Sequence, residues 1–234
     1  MYTRIREEIL NELALFTGVG GGLLGGYIRG WRTVCAVERE PYAASILMQR
    51  QNDGIFPPFP IWDDVCTFDG RPWRGLVDVV SGGFPCPAFS TAARGRNLAE
   101  KDLWHEASRI IGEVQPTFFF GENVSRQAIE QAATDLNDMG YDCRGCKISA
   151  ADVGADHLRE RYWIIAYPHN QSQLFSKINA EMAGVPKLRP SVWQTFPHES
   201  GMDDGVANRM DRFKAIGNGQ VSIVEAAAWG TLSV

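Results

Sequence analysis

The chain has 234 residues, enough for one good core and a small appended lobe, and it is 44% hydrophobic and 22% charged, as ordinary globular proteins are. A formal net charge of -5 argues against non-specific nucleic-acid binding over the whole surface, although it leaves room for a local basic cleft. No apolar run reaches membrane-spanning length and "MYTRIREEIL" lacks the apolar core of a signal peptide, so the expected setting is cytoplasmic, with no membrane partner and with the five cysteines reduced.

In chain order, a helix is expected at the N-terminus, then a strand at "LALF" (Leu13–Phe16) running into the glycine-rich "TGVGGGLLGG". A short helix from about Leu23 leads to a second strand, "RTVCAVE", and Pro41 suits the first turn of the helix "PYAASILMQRQ". A proline-rich link precedes "WDDVCTF", which carries the end of a third strand, and the continuous apolar run "GLVDVVSGG" fits a buried parallel strand. Helical spacing from Asp102 to Val114 stops at Pro116, and "TFFFGEN" is another buried strand. Arg126 to Met139 forms the next helix, with Gly140 at its C-terminus, followed by the strands "YDCRGCKIS" and "RYWIIAY". Periodicity fails from Pro168 to about Ala207 and returns in a closing helix at "VSIVEAAAWGTL". Strands alternating with helices predict an α/β fold with a mostly parallel, doubly wound sheet.

Two stretches carry chemistry. "FTGVGGGLLGG" places Gly20, Gly22 and Gly25 in a G-x-G-x-x-G pattern between a strand and a helix, and Glu38 ends the next strand eighteen residues after Gly20. Such glycines admit a nucleotide close to the backbone, and the acid binds ribose hydroxyls. NAD and S-adenosylmethionine both satisfy this pattern, and an acid at Asp63 or Asp64 suits the adenine amine of either. The second stretch is "VVSGGFPCPAFS", which sets Cys86 between two prolines on a stiff turn at the carboxyl edge of the sheet, where open α/β folds bind ligands. Cations favour the reactive thiolate, and Arg94, Arg96, Arg159 and Arg161 are candidates; Glu122 ends a strand at the same edge.

With these residues in place, the chain resembles the DNA (cytosine-5) methyltransferases. The resemblance is carried by "LFTGVGG", "VERE", "WDDV", "GGFPCPAFS", "FFFGENVS", "HLRERYWIIAY" and "KAIGNGQV", in the family's linear order from about Leu13 to Trp229. It implies a Rossmann-like methyltransferase fold that moves a methyl group from S-adenosylmethionine to C5 of cytosine, leaving S-adenosylhomocysteine. By the resemblance, Cys86 is the nucleophile that adds to C6 of a flipped base, Glu122 holds or protonates N3, and Arg161, with Arg159 nearby, binds O2. For the cofactor the resemblance implies Phe16 stacked on adenine, Glu38 on the ribose and Asp64 with Val65 near the adenine amine. Gly18, Gly20 and Pro85 would line the methionine side, with Leu103 on the adenosine and Asn218 closing the methionine end.

The family division implied is a catalytic and cofactor-binding part at 1–167, a short target-recognition insert at 168–207 and a C-terminal segment at 208–234 that completes the catalytic domain. Asn170, Gln171, Gln173, Lys187, Arg189 and Gln194 are side chains of the insert able to read base edges, and its shortness predicts a short or degenerate target. Double-stranded DNA is the partner implied, with a cognate restriction endonuclease as a further candidate, in a bacterial cell or a virus-infected host; a monomer is expected. Three positions depart from the family pattern: Ala14 where an acid is usual, Pro87 in place of glutamine after the nucleophile, and His157 where glutamine is frequent. An RNA cytosine-5 methyltransferase, a non-catalytic DNA-binding module and an NAD-dependent oxidoreductase stand as alternatives. No metal is expected: Cys143 and Cys146 form a lone C-x-x-C without a second pair. Cys35 and the run Phe118–Phe120 read as core.

Overall fold

The computed structural model describes residues 9–85, 103–169 and 219–233. In chain order the elements are β1 (Asn11–Leu15), α1 (Gly21–Ile28), β2 (Arg32–Val37), α2 (Pro41–Asn52), β3 (Ile61–Trp62), β4 (Val79–Gly83), α3 (Trp104–Val114), β5 (Phe118–Asn123), α4 (Arg126–Asp138), β6 (Tyr141–Ile148), β7 (Arg161–Pro168) and α5 (Ser222–Leu232). The strands form one seven-stranded sheet in the order β3-β2-β1-β4-β5-β7-β6. β1 to β5 pair in parallel, whereas β7 runs antiparallel to both of its neighbours, β5 and β6. This is the expected mostly parallel α/β sheet, with its reversal confined to one strand.

Local chemistry accounts for the element boundaries. Pro41 opens α2, where its missing N–H costs nothing, and Ser125 caps α4 by accepting the Ala128 N–H. Gly140, at φ 92°, follows the last turn of that helix. Two strands are shorter than the apolar runs suggest. After Trp62 the chain turns, because Asp64 Oδ1 accepts the Cys66 N–H at 2.9 Å and the Thr67 hydroxyl donates to the Asp64 carbonyl. In "GLVDVVSGG" the strand begins only at Val79: Gly75 has a positive φ, Leu76 is exposed, and the Asp78 carboxylate accepts the Asn11 N–H at 2.8 Å. No helix among the described residues is long and apolar enough to cross a membrane.

The sheet is covered on both faces. Leu13, Leu15, Val80, Phe119 and Ile164 pack with Ile110, Ile111 and Leu136 of α3 and α4. On the other face Phe118, Phe120 and Trp163 meet Trp31 and Trp229, with Trp31 and Trp229 edge to face at 4.7 Å between centroids. Phe118–Phe120 is thus core on alternating faces, as its strand period requires, and Cys35 is buried beneath the first face. Cys143 and Cys146, three apart on β6, pack against opposite faces and so cannot converge on one metal ion.

One buried group of charges lies away from the carboxyl ends of the strands. Glu12 of β1 has no exposed surface, and its carboxylate accepts from the hydroxyls of Ser81 at 2.6 Å and Thr33 at 2.9 Å. Burial, partly offset by those two hydroxyls, pushes its pKa up to about 7. Glu225 of α5 is also buried; burial and then the repulsion of Glu12 raise it, while Arg29 pulls the other way. Arg29 donates from Nε to the Ala226 carbonyl at 2.8 Å, yet Arg29 Nη2 and Glu225 Oε2 are both buried without a hydrogen-bond partner.

Candidate active site

The glycine turn follows β1 directly. Phe16 and Gly18 have positive φ (52° and 56°), and Gly20, at φ 87°, is the residue before the first turn of α1. A side chain at Gly20 would press on Leu47 at 2.7 Å, whereas at Gly18 it would meet nothing within 4 Å, so the turn is open on the Gly18 side. Glu38, just past β2, is buried, and its two oxygens accept the N–H groups of Gly18 at 2.5 Å and Glu40 at 2.7 Å. Burial raises its pKa and the backbone donors oppose that rise. The carboxylate therefore locks the turn of β1 to the end of β2. Thr17 reinforces the lock, its hydroxyl donating to the carbonyls of Ala14 and Val37 at 3.2 Å.

Asp64 lies just beyond β3; the Cys66 N–H, opposed by slight desolvation, keeps its pKa below the usual carboxylate range, and Arg39 adds to that lowering. Val65 is core, with its carbonyl accepting Arg109 Nη2 at 2.9 Å. Ala14 packs among Leu23, Ala36, Leu47, Phe56 and Phe59, so an apolar residue fills the place of the usual family acid. His157 is half-buried beside Asp156.

At the carboxyl ends of β4 and β5 the second half of the site forms. Glu122 is 8% exposed, and Arg161, at the start of the antiparallel β7, donates from Nε to its Oε1 at 2.8 Å. Glu122 pairs in register with Trp163, so strand geometry brings Arg161 to it from the opposite chain direction. Burial raises the Glu122 pKa, opposed by Arg161, then Gln220 and Arg159. Arg159, at φ 27°, donates from Nη2 to the Gly219 carbonyl at 2.5 Å; burial and then the neighbouring Arg161 lower its pKa. Glu122, Arg159, Arg161, Trp163, Gln220, Val221 and Val224 line a narrow pocket.

Pro85 is exposed at the end of β4, and the Leu103 N–H donates to its carbonyl at 3.4 Å. Leu103 itself packs against the core. Cys86, Arg94, Arg96, Asn218 and the recognition side chains from Asn170 to Gln194 lie outside the described residues. Two residues not singled out in the sequence belong to this site. Asn123 donates from Nδ2 to the Phe84 carbonyl at 2.8 Å, fixing the turn two residues before Cys86. Gln220 donates to Glu122 Oε2 at 3.4 Å. Both stood inside quoted motifs, "GENV" and "GNGQV", where amides beside glycines and strand ends are the available signal.

The sequence profile of the C-5 cytosine-specific DNA methylases matches residues 10–219. The chain belongs to that family. Its membership removes the oxidoreductase reading of the glycine turn. Among curated methylases, the chain is 32% identical over 154 residues to the type II methyltransferase M.Eco47II of Escherichia coli, covering 59% of this chain and 34% of that protein. It is 32% identical over 174 residues to M.NgoMIV of Neisseria gonorrhoeae, covering 70% of this chain and 54% of that protein. The chain thus spans a third to about half the length of these relatives. Among solved structures, a DNA modification methyltransferase described as encoded within an Escherichia coli prophage matches with a TM-score of 0.57 at 26% identity, over 69% of this chain and 47% of that one. The Schizosaccharomyces pombe Dnmt2 methyltransferase shares the fold, with a TM-score of 0.56 at 17% identity over 72% of this chain and 56% of that one.

Proposed function

We propose that this chain transfers a methyl group from S-adenosylmethionine to C5 of a cytosine in double-stranded DNA. The observation that carries the reading is the buried Glu122 carboxyl, paired with Arg161 beside Arg159 in a pocket at the sheet edge. Family membership supports it, as does the turn at Gly18 and Glu38. That turn fits the cofactor: it has open space beside Gly18, and the Glu38 carboxylate, with three backbone N–H donors against four lone-pair sites, has acceptor capacity left for a ribose hydroxyl.

In this reading Phe16, Gly18, Gly20, Glu38, Asp64, Val65, Pro85, Leu103 and Asn218 hold S-adenosylmethionine. Bound there, it supplies the electrophilic methyl group that an activated C5 accepts. Cytosine C5 is a poor nucleophile, so the Cys86 thiolate adds to C6 and pushes electron density toward C5 and N3. Glu122, its pKa raised by burial, retains a proton to higher pH than an exposed glutamate does and gives it to N3. Arg161, with Arg159 behind it, holds O2. Loss of the C5 proton then expels Cys86. The ring must leave the duplex to reach the pocket, so the target base is flipped.

Residues 168–207 are the proposed target-recognition insert, with 1–167 and 208–234 forming the catalytic domain of a monomer. A cognate restriction endonuclease is the proposed partner in a cell or infected host. The test is transfer of tritium from labelled S-adenosylmethionine to DNA and to tRNA, side by side. Label is expected in DNA, absent with Cys86→Ala, and wild type is expected to be trapped on DNA bearing 5-fluorocytosine. Label in tRNA alone, or undiminished transfer by Cys86→Ala, would sink the reading.

A further inference from the structure

Gln220 sits in the short stretch before α5, and three glycines, two at the start of α1 and one at the end of β4, make room for it. A side chain at Gly21 would collide with the Gln220 carbonyl oxygen, and one at Gly22 with its Oε1. At Gly83, the last residue of β4, a side chain would meet Glu122 Oε2 at 2.8 Å and Gln220 Nε2 at 3.1 Å. The Gln220 amide therefore reaches from the first turn of α1, past the end of β4, to the second oxygen of Glu122, whose first oxygen is taken by Arg161. One residue earlier, the Gly219 carbonyl is held by Arg159, so the stretch is fastened on both sides of the pocket.

We propose that Gln220 is a positioning residue for Glu122: its amide fixes the carboxyl against Arg161 and ties it mechanically to the glycine turn. The proposal rests on the methyl-transfer reading for the purpose Glu122 serves, but not for the contact itself. The charged groups acting on Glu122 are Arg161 at the start of β7 and Arg159 in the preceding loop; Gln220 is the neutral donor on the remaining side. A buried carboxylate oxygen that loses its donor is disfavoured in its ionised form.

The experiment uses the full chain with Gln220→Met, which keeps length and volume but has no N–H, and with Gly83→Ala, which crowds the same contact. Carboxyl carbon-13 titration of Glu122 by NMR is expected to move upward by about half a unit or more in Gln220→Met, a threefold change in its proton affinity. In the methyl-transfer assay kcat is expected to fall about tenfold with KM for DNA within twofold, and the alkaline limb of kcat to move with the NMR value. Gly83→Ala is expected to shift both in the same direction and serves alone if Gln220→Met does not fold. A Glu122 titration unchanged in a folded variant overturns the proposal, whether or not kcat falls, since a merely structural glutamine would leave it unmoved. A shifted titration in a chain that methylates nothing would overturn the proposed function and uphold the positioning role.

Discussion

Two sets of buried acids and arginines occupy this small fold, and they are built differently. At the sheet edge one acid, Glu122, has Arg161 within 2.8 Å, a neutral amide on its other oxygen and a pocket in front of it. Beneath α1 and α5 lie two acids, Glu12 and Glu225, of which Glu225 feels the charge of Arg29; Glu12 is satisfied by hydroxyls, and Glu225 and Arg29 each keep a buried atom without a partner. The first set directs its donors at one carboxylate that lines a pocket. In the second set burial, joined for Glu225 by the charge of Glu12, favours the protonated acids.

The sharpest way to break this contrast is Glu122→Gln. It preserves shape but removes the proposed proton donor, and is expected to cut methyl transfer by about 10²–10⁴-fold while leaving the thermal midpoint within a few degrees. An equal loss of transfer in Glu225→Gln would erase the distinction between the two sets.

Next in size is the pH dependence of stability. Because the folded-state pKa of Glu12 lies near 7, above its ordinary 4.5, the folded state binds the proton more tightly than the unfolded chain. Its contribution is fully present below pH 4.5 and is lost as pH rises through 7, a difference of about 3 kcal/mol. Urea midpoints from pH 4.5 to 8 are expected to fall, and Glu12→Gln to flatten the decline.

Glu38→Ala probes a third kind of buried acid, held by backbone donors alone, and is expected to weaken S-adenosylhomocysteine binding about tenfold or more by calorimetry. Smallest is Ser81→Ala, which removes one hydroxyl donor from Glu12. It is expected to cost about 1 kcal/mol at pH 8, where the carboxylate needs that donor, and less at pH 5.

Much of the architecture was legible because strand and helix periods are local: Phe118–Phe120, Pro41 and Gly140 each announce their role within a few residues. The pairing of Glu122 with Arg161 was legible as ordered motifs and not as contact, since nothing local reveals that β7 runs backward beside β5. Glu12 was not legible at all. An acid at the start of a strand looks like surface, and only the return of α5 across more than 200 residues encloses it. Gln220 escaped for a related reason: the glycines that accommodate it lie at the start of α1 and the end of β4, far away in the chain.

The reversed β7 has a consequence for how the molecule is assembled. β6 and β7 are consecutive and antiparallel and are joined by the stretch 149–160, whereas every parallel pair is joined through a longer stretch of chain. The hairpin thus carries the shorter chain closure and joins β5 through β7. Arg159 and Arg161 travel with it. Docking of that hairpin delivers the cationic side of the pocket to Glu122 in one event, so a chain with only its parallel strands assembled would hold an acid still waiting for its partner.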